Sequence, residues 1–192
     1  MTKQATDTRE RIVETADRLF YERGYGHTSF ADIAAAVELS RGNFYYHFKT
    51  KDEILAAVIE LRQHKTQAML DAWATEAKQP ARRIGRFIDM MAMNAAAISR
   101  NGCPVGTLCT ELAKLEHPAL PQANTLFTLF RDWLRAQFEQ LGTKAAADAD
   151  GLAMHLLARS QGIATLANAF DDGAFIQHEV SQLHKWLHAM SK

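Results

Sequence analysis

Residues 29–55 read SFADIAAAVELSRGNFYYHFKTKDEIL, and they carry the signals of two short helices separated by a tight turn. Ser29 and Asp32 have the spacing of a capping box, and the apolar side chains that follow recur at helical intervals. After a short turn, Ser40 can cap a second helix over 41–48. Two short helices joined in this way form a helix-turn-helix arrangement.

Helical patterns continue on both sides of this motif. Residues 8–23 carry an apolar stripe closed by Gly24, whereas residues 1–7 are polar and are predicted to form a mobile arm. Thr50 and Glu53 repeat the capping-box spacing and open a longer helix. Apolar spacing and proline positions predict further helices near 81–100, 104–114, 118–141, 145–170 and 173–190.

The pattern as a whole predicts an all-α protein of about nine helices, because no segment shows the sustained period-two alternation of a strand. We therefore divide the chain into the arm at 1–7, a helix-turn-helix domain at 8–55, and a C-terminal helical bundle at 56–192.

Composition excludes several classes of protein. The chain has 192 residues, of which 47% are hydrophobic, so it can bury a core and is not a disordered tail. Its 22 basic and 22 acidic residues give a net charge of zero, which excludes a bulk polycation. Two cysteines make no disulfide scaffold. Residues 1–10 lack an apolar segment and no apolar run has membrane-spanning length, so we expect neither a leader nor a membrane span. We expect a cytoplasmic protein without a membrane partner.

The second helix of the motif carries side chains suited to nucleic acid. A guanidinium, an amide, two phenols and an imidazole can hydrogen-bond base edges and phosphates in a major groove, and Gly42 lets the backbone come close. Hydroxyl groups at helix starts suit phosphates. The candidate contacts with double-stranded DNA are Thr28, Ser29, Ser40, Arg41, Gly42, Asn43, Tyr45, Tyr46, His47 and Lys51.

These residues resemble the TetR family of transcriptional regulators over positions 9–55. The resemblance rests on Ile12–Phe20, Gly24-Tyr25, Thr28, Ile33-Ala34, Leu39–Phe48, Lys51 and Leu55. It implies that Arg41, Gly42, Asn43 and Tyr46 line the groove, whereas Thr28, Ser40, Tyr45, His47 and Lys51 hold phosphates. One departure is Glu38, which stands where the family often has glycine and would cost on the order of 1 kcal/mol in a left-handed turn.

Charge in this region is nearly balanced. Residues 1–51 contain eight basic and seven acidic side chains. We therefore expect weak non-specific affinity for DNA and a dependence on specific contacts and on a dimer.

The C-terminal patterns admit two interpretations, an apolar ligand pocket or an ordinary bundle core. Aromatic, thioether and amide side chains recur beside the core stripe of residues 81–100, and later helices add further apolar groups. The candidate ligand-binding residues are Phe87, Met90, Asn94, Cys103, Leu108, Phe127 and Trp133.

Cys103 precedes Pro104, a good first residue for a helix. The thiol would then lie at the positive end of the helix dipole, where a thiolate is favoured. A small buried hydrophobic role is the alternative, and Cys109 is expected to be inert. A Gly-Cys pair at this point resembles one in TetR branches that sense electrophiles or oxidants.

The last two helices carry long apolar stripes that could pack within one chain or across a two-fold axis. The candidate dimer residues are Leu152, Leu156, Ile163, Leu166, Phe170, Ile176, Val180, Leu183 and Leu187. The family resemblance favours the homodimer, in which two recognition helices roughly 34–36 Å apart would meet successive major grooves.

We interpret the chain as a ligand-responsive repressor, released from operator DNA by an unidentified small-molecule inducer or by modification of Cys103. One alternative is a small helical enzyme with Cys103 as nucleophile, although no catalytic base or triad spacing accompanies it. Another is an architectural DNA-binding protein, which the balanced charge disfavours. His184 and His188 lack further ligands, so we predict neither a metal site nor a cofactor.

Overall fold

The computed structural model describes residues 3–190, except for the side chains of residues 3–6 and of Arg41. Helices make up nearly all of the described part, which contains no strand. Their bounds are α1 Lys3–Arg23, α2 Phe30–Ala36, α3 Arg41–His47, α4 Lys51–Glu76, α5 Pro80–Met93, α6 Ala95–Asn101, α7 Pro104–Lys114, α8 Leu120–Glu139, α9 Thr143–Ala146, α10 Ala149–Phe170 and α11 Gly173–Met190.

The all-α prediction is confirmed, and three helix bounds are corrected. Helix α1 begins at Lys3, so residues 3–7 continue a helix rather than form the predicted arm. The predicted helix over 81–100 divides at Asn94, whose side-chain amide donates to the Met90 carbonyl at 2.8 Å and competes with the helical hydrogen bonds. The predicted helix over 145–170 divides at Asp148, whose backbone leaves the helical region.

The chain forms two compact units. The first joins the chain up to Lys65 with residues 107–126, and the second joins residues 66–106 with the chain from Phe127 onward. The predicted helix-turn-helix domain at 8–55 lies wholly in the first unit. Residues 107–126 belong to the same unit, which the sequence patterns did not indicate.

The core of the first unit fixes the three N-terminal helices and the start of α4. Ile12, Ile33, Phe44 and Ile54 are completely buried, one from each of these helices. The rings of Phe30 and Phe44 meet edge to face at 4.7 Å between centroids, which joins α2 to α3.

An ion pair adds a polar tie between α1 and α4. The guanidinium of Arg62 lies 2.6 Å from the Asp17 carboxylate, and its side chain is only 9% exposed. A small helical module is thereby held to a long helix, as a module of this size requires.

The second unit is a helical bundle with its own apolar core. Helix α5 packs against α11, and α10 packs against α6 and α11. The rings of Phe87 and Phe130 meet edge to face at 5.5 Å. None of the helices within residues 3–190 is long and apolar enough to cross a membrane.

Candidate nucleic-acid interface

Both predicted helix caps in the motif are present. The Ser29 hydroxyl accepts from the Asp32 amide at 3.1 Å, and the Asp32 carboxylate accepts from the Ser29 amide at 2.8 Å. The Ser29 hydroxyl also donates to the Asp32 carboxylate at 2.6 Å, and this bond, followed by the one from the Ser29 amide, lowers the pKa of Asp32. The Ser40 hydroxyl accepts from the Asn43 amide at 3.4 Å and starts α3.

The turn between α2 and α3 has the left-handed residue that the sequence predicts. Glu38 has φ of 55° and is exposed. Its amide donates to Ala35 at 3.2 Å, and the Leu39 amide donates to Ala34 at 3.5 Å. These two bonds are the pair that closes a Schellman motif, so the turn keeps its geometry with glutamate in the glycine position.

Helix α3 separates its core side chains from a polar surface. Phe44 and Phe48 are buried, whereas Tyr46 is 70% exposed and Tyr45 is 49% exposed. The side chain of Asn43 is exposed as well, and that of His47 is half-buried beside the Tyr46 ring. This surface carries most of the groove-lining residues that the sequence predicts, although the side chain of Arg41 lies outside the described residues.

Gly42 lies on the same surface of α3. A Cβ atom built there would meet no other atom within 4 Å, so nothing within the chain requires glycine. The predicted reason for this glycine, close approach to DNA, stays a prediction.

Two of the predicted phosphate contacts are used inside the protein. Thr28 is completely buried, and its hydroxyl donates to the Gly24 carbonyl at 2.8 Å. This side chain stabilises the turn after α1, which corrects its predicted role as a phosphate contact. Lys51 donates to the Tyr25 carbonyl at 3.0 Å, and its ammonium lies 3.9 Å from the centroid of the Tyr25 ring.

Tyr25 is the centre of a group of contacts that sequence reasoning missed. Its phenol donates to Asp52, and the His117 imidazole lies 3.2 Å from the phenol oxygen. Burial raises the pKa of Tyr25, and the adjacent Asp52 carboxylate raises it further. The Glu111 carboxylate accepts from the amides of Tyr25 and Gly26 at 2.8 and 2.7 Å. No local signal marks Glu111 or His117, because each acts on a residue more than 80 positions away.

The structure does not place all of the candidate ligand-binding residues in one part of the fold. Phe87 is buried in the core of the second unit, and Met90, Cys103 and Trp133 pack against that core. Asn94 is exposed, and its side chain bonds its own helix. Leu108 belongs to the first unit, and Phe127 is half-buried in the second.

The candidate dimer residues divide by burial. The side chains of six of them pack inside their own chain, which corrects their predicted place at an interface. These six are Leu156, Ile163, Ile176, Val180, Leu183 and Leu187. Leu166 and Phe170 are 46% and 76% exposed, and Leu152 is half-buried.

Comparison with known proteins identifies the chain. A family model for the N-terminal domain of bacterial regulatory proteins of the TetR family matches residues 12–58. A second model, the C-terminal domain of LmrA/YxaF-like transcriptional regulators, matches residues 80–182, more than half of the chain. The chain is a TetR-family transcriptional regulator.

Individual relatives of this TetR-family regulator are distant. It is 28% identical over 178 residues to an uncharacterized HTH-type regulator from the lacX 3′ region of Lactococcus lactis, covering 92% of this chain and 85% of the relative. It is also 28% identical to the transcriptional repressor DhaR of a Mycobacterium species, over 68% of this chain and 63% of DhaR. A crystal structure of a TetR regulator from Chloroflexus aurantiacus superposes with a TM-score of 0.83 at 24% identity, covering 97% of each chain.

The residues that contact Tyr25 show that the family matches and the structural units divide this TetR-family regulator at different places. Glu111 and His117 lie within the residues matched by the C-terminal family model. The structure nevertheless assigns them to the compact unit that contains the helix-turn-helix motif. The boundary between sequence families therefore does not coincide with the boundary between structural units.

Proposed function

We propose that the chain is a homodimeric repressor that binds operator DNA through α3 and is released by a small-molecule inducer. The exposed surface of α3 carries this proposal, because two aromatic side chains and an amide stand in solvent on a helix whose other side is buried. Such a surface can hydrogen-bond base edges in a major groove. The relative DhaR is a transcriptional repressor, which supports the direction of regulation.

The helix-turn-helix domain at 8–55 reads the operator, and the bundle at 56–192 binds the inducer and the second copy. Phe87, Met90 and Trp133 supply the apolar character that an inducer site needs. Release requires that the inducer bind the DNA-free form more tightly than the DNA-bound form. A ratio of 100-fold between these affinities corresponds to roughly 2.7 kcal/mol.

The exposed side of α10 supports the homodimer. Along this helix, residues at every fourth position are exposed and are apolar or small: Met154, Ala158, Gly162, Leu166 and Phe170. Exposed large apolar side chains mark a contact surface, and small residues between them allow two helices to approach closely. A second copy of the chain would cover this stripe in a self-complementary way.

Selection from random DNA tests the proposed function without knowledge of the operator. The purified protein is equilibrated with a pool of random duplexes, and the bound fraction is amplified over several rounds. We expect an enriched, two-fold-symmetric sequence that retains its affinity against random competitor, with two protomers or a multiple per site. The Asn43→Ala variant should enrich no sequence. Failure of the unmodified protein to enrich any sequence would contradict the proposal.

A substitution at Gly162 tests the dimer separately. A Cβ atom at Gly162 would meet nothing within 4 Å in its own chain, so Gly162→Arg leaves the packing of the protomer intact. We expect this variant to be monomeric by sedimentation and to bind the enriched duplex at least tenfold more weakly. Ala174→Arg, also exposed but on α11, serves as the control. A dimeric Gly162→Arg protein would exclude this face as the interface.

We propose modification of Cys103 as a second route of release. Helix α7 begins directly after Cys103, and the thiol sulfur accepts from the Gly106 amide and the Gln161 side chain, each at 3.4 Å. Cys103 is half-buried, so a small reagent can reach its sulfur. We expect alkylation by N-ethylmaleimide to release the enriched duplex from the unmodified protein but not from Cys103→Ser. Equal release from both would assign the effect to another residue.

A further inference from the structure

The carboxylate of Glu111 holds two successive backbone amides. Its two oxygens accept from Tyr25 at 2.8 Å and from Gly26 at 2.7 Å. Tyr25 and Gly26 form the turn that joins α1 to α2. A carboxylate that accepts one hydrogen bond on each oxygen fixes both the position and the orientation of the peptide groups, and charged acceptors make the stronger bonds.

Tyr25 is fixed at the same time by the start of α4. Lys51 donates to its carbonyl oxygen at 3.0 Å, and its phenol donates to Asp52. The pair formed by α2 and α3 lies between this turn and the start of α4 along the chain. Both ends of the DNA-reading pair are therefore attached to one residue, Tyr25, whose backbone Glu111 holds.

We propose that Glu111 is a positioning residue for operator binding, acting through the backbone of Tyr25 and Gly26 on the placement of α2 and α3. This inference rests on the proposed function, since it concerns the affinity for an operator. Glu111 itself does not contact DNA in this role. It sets the geometry in which the exposed side chains of α3 meet the groove, and small errors in such placement are costly.

The two glycines of the turn fit this role. A Cβ atom at Gly24 or Gly26 would lie 3.1 Å from the nearest Glu111 oxygen, which is closer than most real contacts. Gly24 also has φ of 88°, which disfavours other residues there. The turn is therefore shaped so that the carboxylate can reach both amides, and a methyl group at Gly26 would displace it.

The first test replaces the carboxylate with an isosteric amide. In Glu111→Gln one oxygen can still accept, but the side-chain NH₂ group then faces a backbone N–H. We expect at least a tenfold loss of affinity for the enriched duplex, with affinity for random DNA unchanged or slightly higher. Loss of a negative charge by itself would tighten DNA binding, so the expected sign is opposite to the effect of charge. The control is Glu60→Gln, the same change at an exposed position of α4.

Hydrogen exchange separates positioning from a general loss of structure. In Glu111→Gln we expect exchange of the Tyr25 and Gly26 amides to rise by about tenfold or more, with the Phe44 and Ile54 amides unchanged. A matching rise at Phe44 and Ile54 would show that the variant loosens the whole core. That result would overturn the positioning role.

A double-mutant cycle with Gly26→Ala tests the contact itself. Gly26→Ala keeps all charges, but its methyl group crowds the Glu111 carboxylate. We therefore expect it to weaken operator binding by itself and to add little to the loss of affinity in Glu111→Gln. Additive effects of the two substitutions would overturn the proposal. Equal affinity of Glu111→Gln and the unmodified protein for an enriched duplex would also overturn it, while leaving the proposed function intact. Only the absence of any enriched duplex speaks against the proposed function.

Discussion

Helix α3 and the turn between α1 and α2 use the same kinds of side chains in opposite ways. On α3, the amide of Asn43 and the phenol of Tyr46 point into solvent. In the turn, the hydroxyl of Thr28 and the phenol of Tyr25 are buried and bonded within the protein. Polar groups buried in this way must be satisfied internally, which leaves them unavailable to a partner.

This difference teaches that a sequence motif for DNA binding mixes two tasks. Some of its polar residues contact the partner, and others fix the angle at which those contacts are presented. Residue type does not separate the tasks, since tyrosine serves in both, as Tyr25 and Tyr46 show. Burial and hydrogen bonding separate them, and variants can test the assignment one residue at a time.

The largest expected effect on operator affinity is at Tyr46, the example of a residue that contacts DNA. Tyr46→Ala removes a side chain that is 70% exposed, so its effect on the free energy of unfolding should be small. Operator affinity should fall about 10–100-fold, because a good contact to a base is worth roughly 1–3 kcal/mol. Fluorescence anisotropy and urea unfolding measure the two quantities. Leu115→Ala, another exposed apolar position of the first unit, is the control; equal losses for both variants would contradict the assignment.

Thr28 is the example of a polar residue that bonds within the protein. Thr28→Val keeps the shape but removes the hydrogen bond to Gly24, which should lower the free energy of unfolding by about 1–3 kcal/mol. Affinity for random duplex DNA at a fixed salt concentration should not change, because no phosphate contact is lost. If Thr28 did hold a phosphate, the variant would bind random and operator DNA more weakly by the same factor, since a phosphate contact carries no sequence information. Fluorescence anisotropy with both duplexes distinguishes the two roles.

The fold of this region could be predicted because its signals are local. The capping box at Ser29 and Asp32 and the left-handed position of Glu38 depend on neighbours within a few residues, and each was anticipated. The predicted helix bounds are wrong at Asn94, where the side-chain amide and the backbone amide share the Met90 carbonyl. Periodicity alone carries no information about such competition.

The positioning contacts could not be predicted, because they join distant parts of the chain. Glu111 lies 86 positions from Tyr25, and a glutamate on a predicted helix suggests only a solvated face. Similarly, the stripe of Ile176 to Leu187 predicted an apolar face without indicating what covers it, and the structure shows that its own chain does. Amphipathic patterns identify which side is buried but not the partner.

Gly42 should give effects of opposite sign on stability and on binding. Gly42→Ala meets open space in α3 and improves helix propensity, so it should raise the free energy of unfolding by up to about 1 kcal/mol. If the backbone of α3 approaches DNA closely at this point, the added methyl group should weaken operator binding severalfold. Unfolding and anisotropy experiments on the same preparation measure both. A variant that is more stable and binds equally well would remove Gly42 from the contact surface.

The smallest expected effect is a pH dependence at the cap of α2. The pKa of Asp32 is lowered by hydrogen bonds from Ser29, so the ionised carboxylate favours the folded state. Since the ordinary pKa is about 3.9, this contribution is complete above that pH and is lost as pH falls through the lowered value. Ser29→Ala should therefore raise the pKa of Asp32, and its destabilisation should be greater at pH 6 than below about pH 4. Carboxyl chemical shifts report the pKa, with Asp150, which is paired with Arg131, as an unaffected reference in the same sample. An unchanged Asp32 titration in Ser29→Ala would show that the cap does not set it.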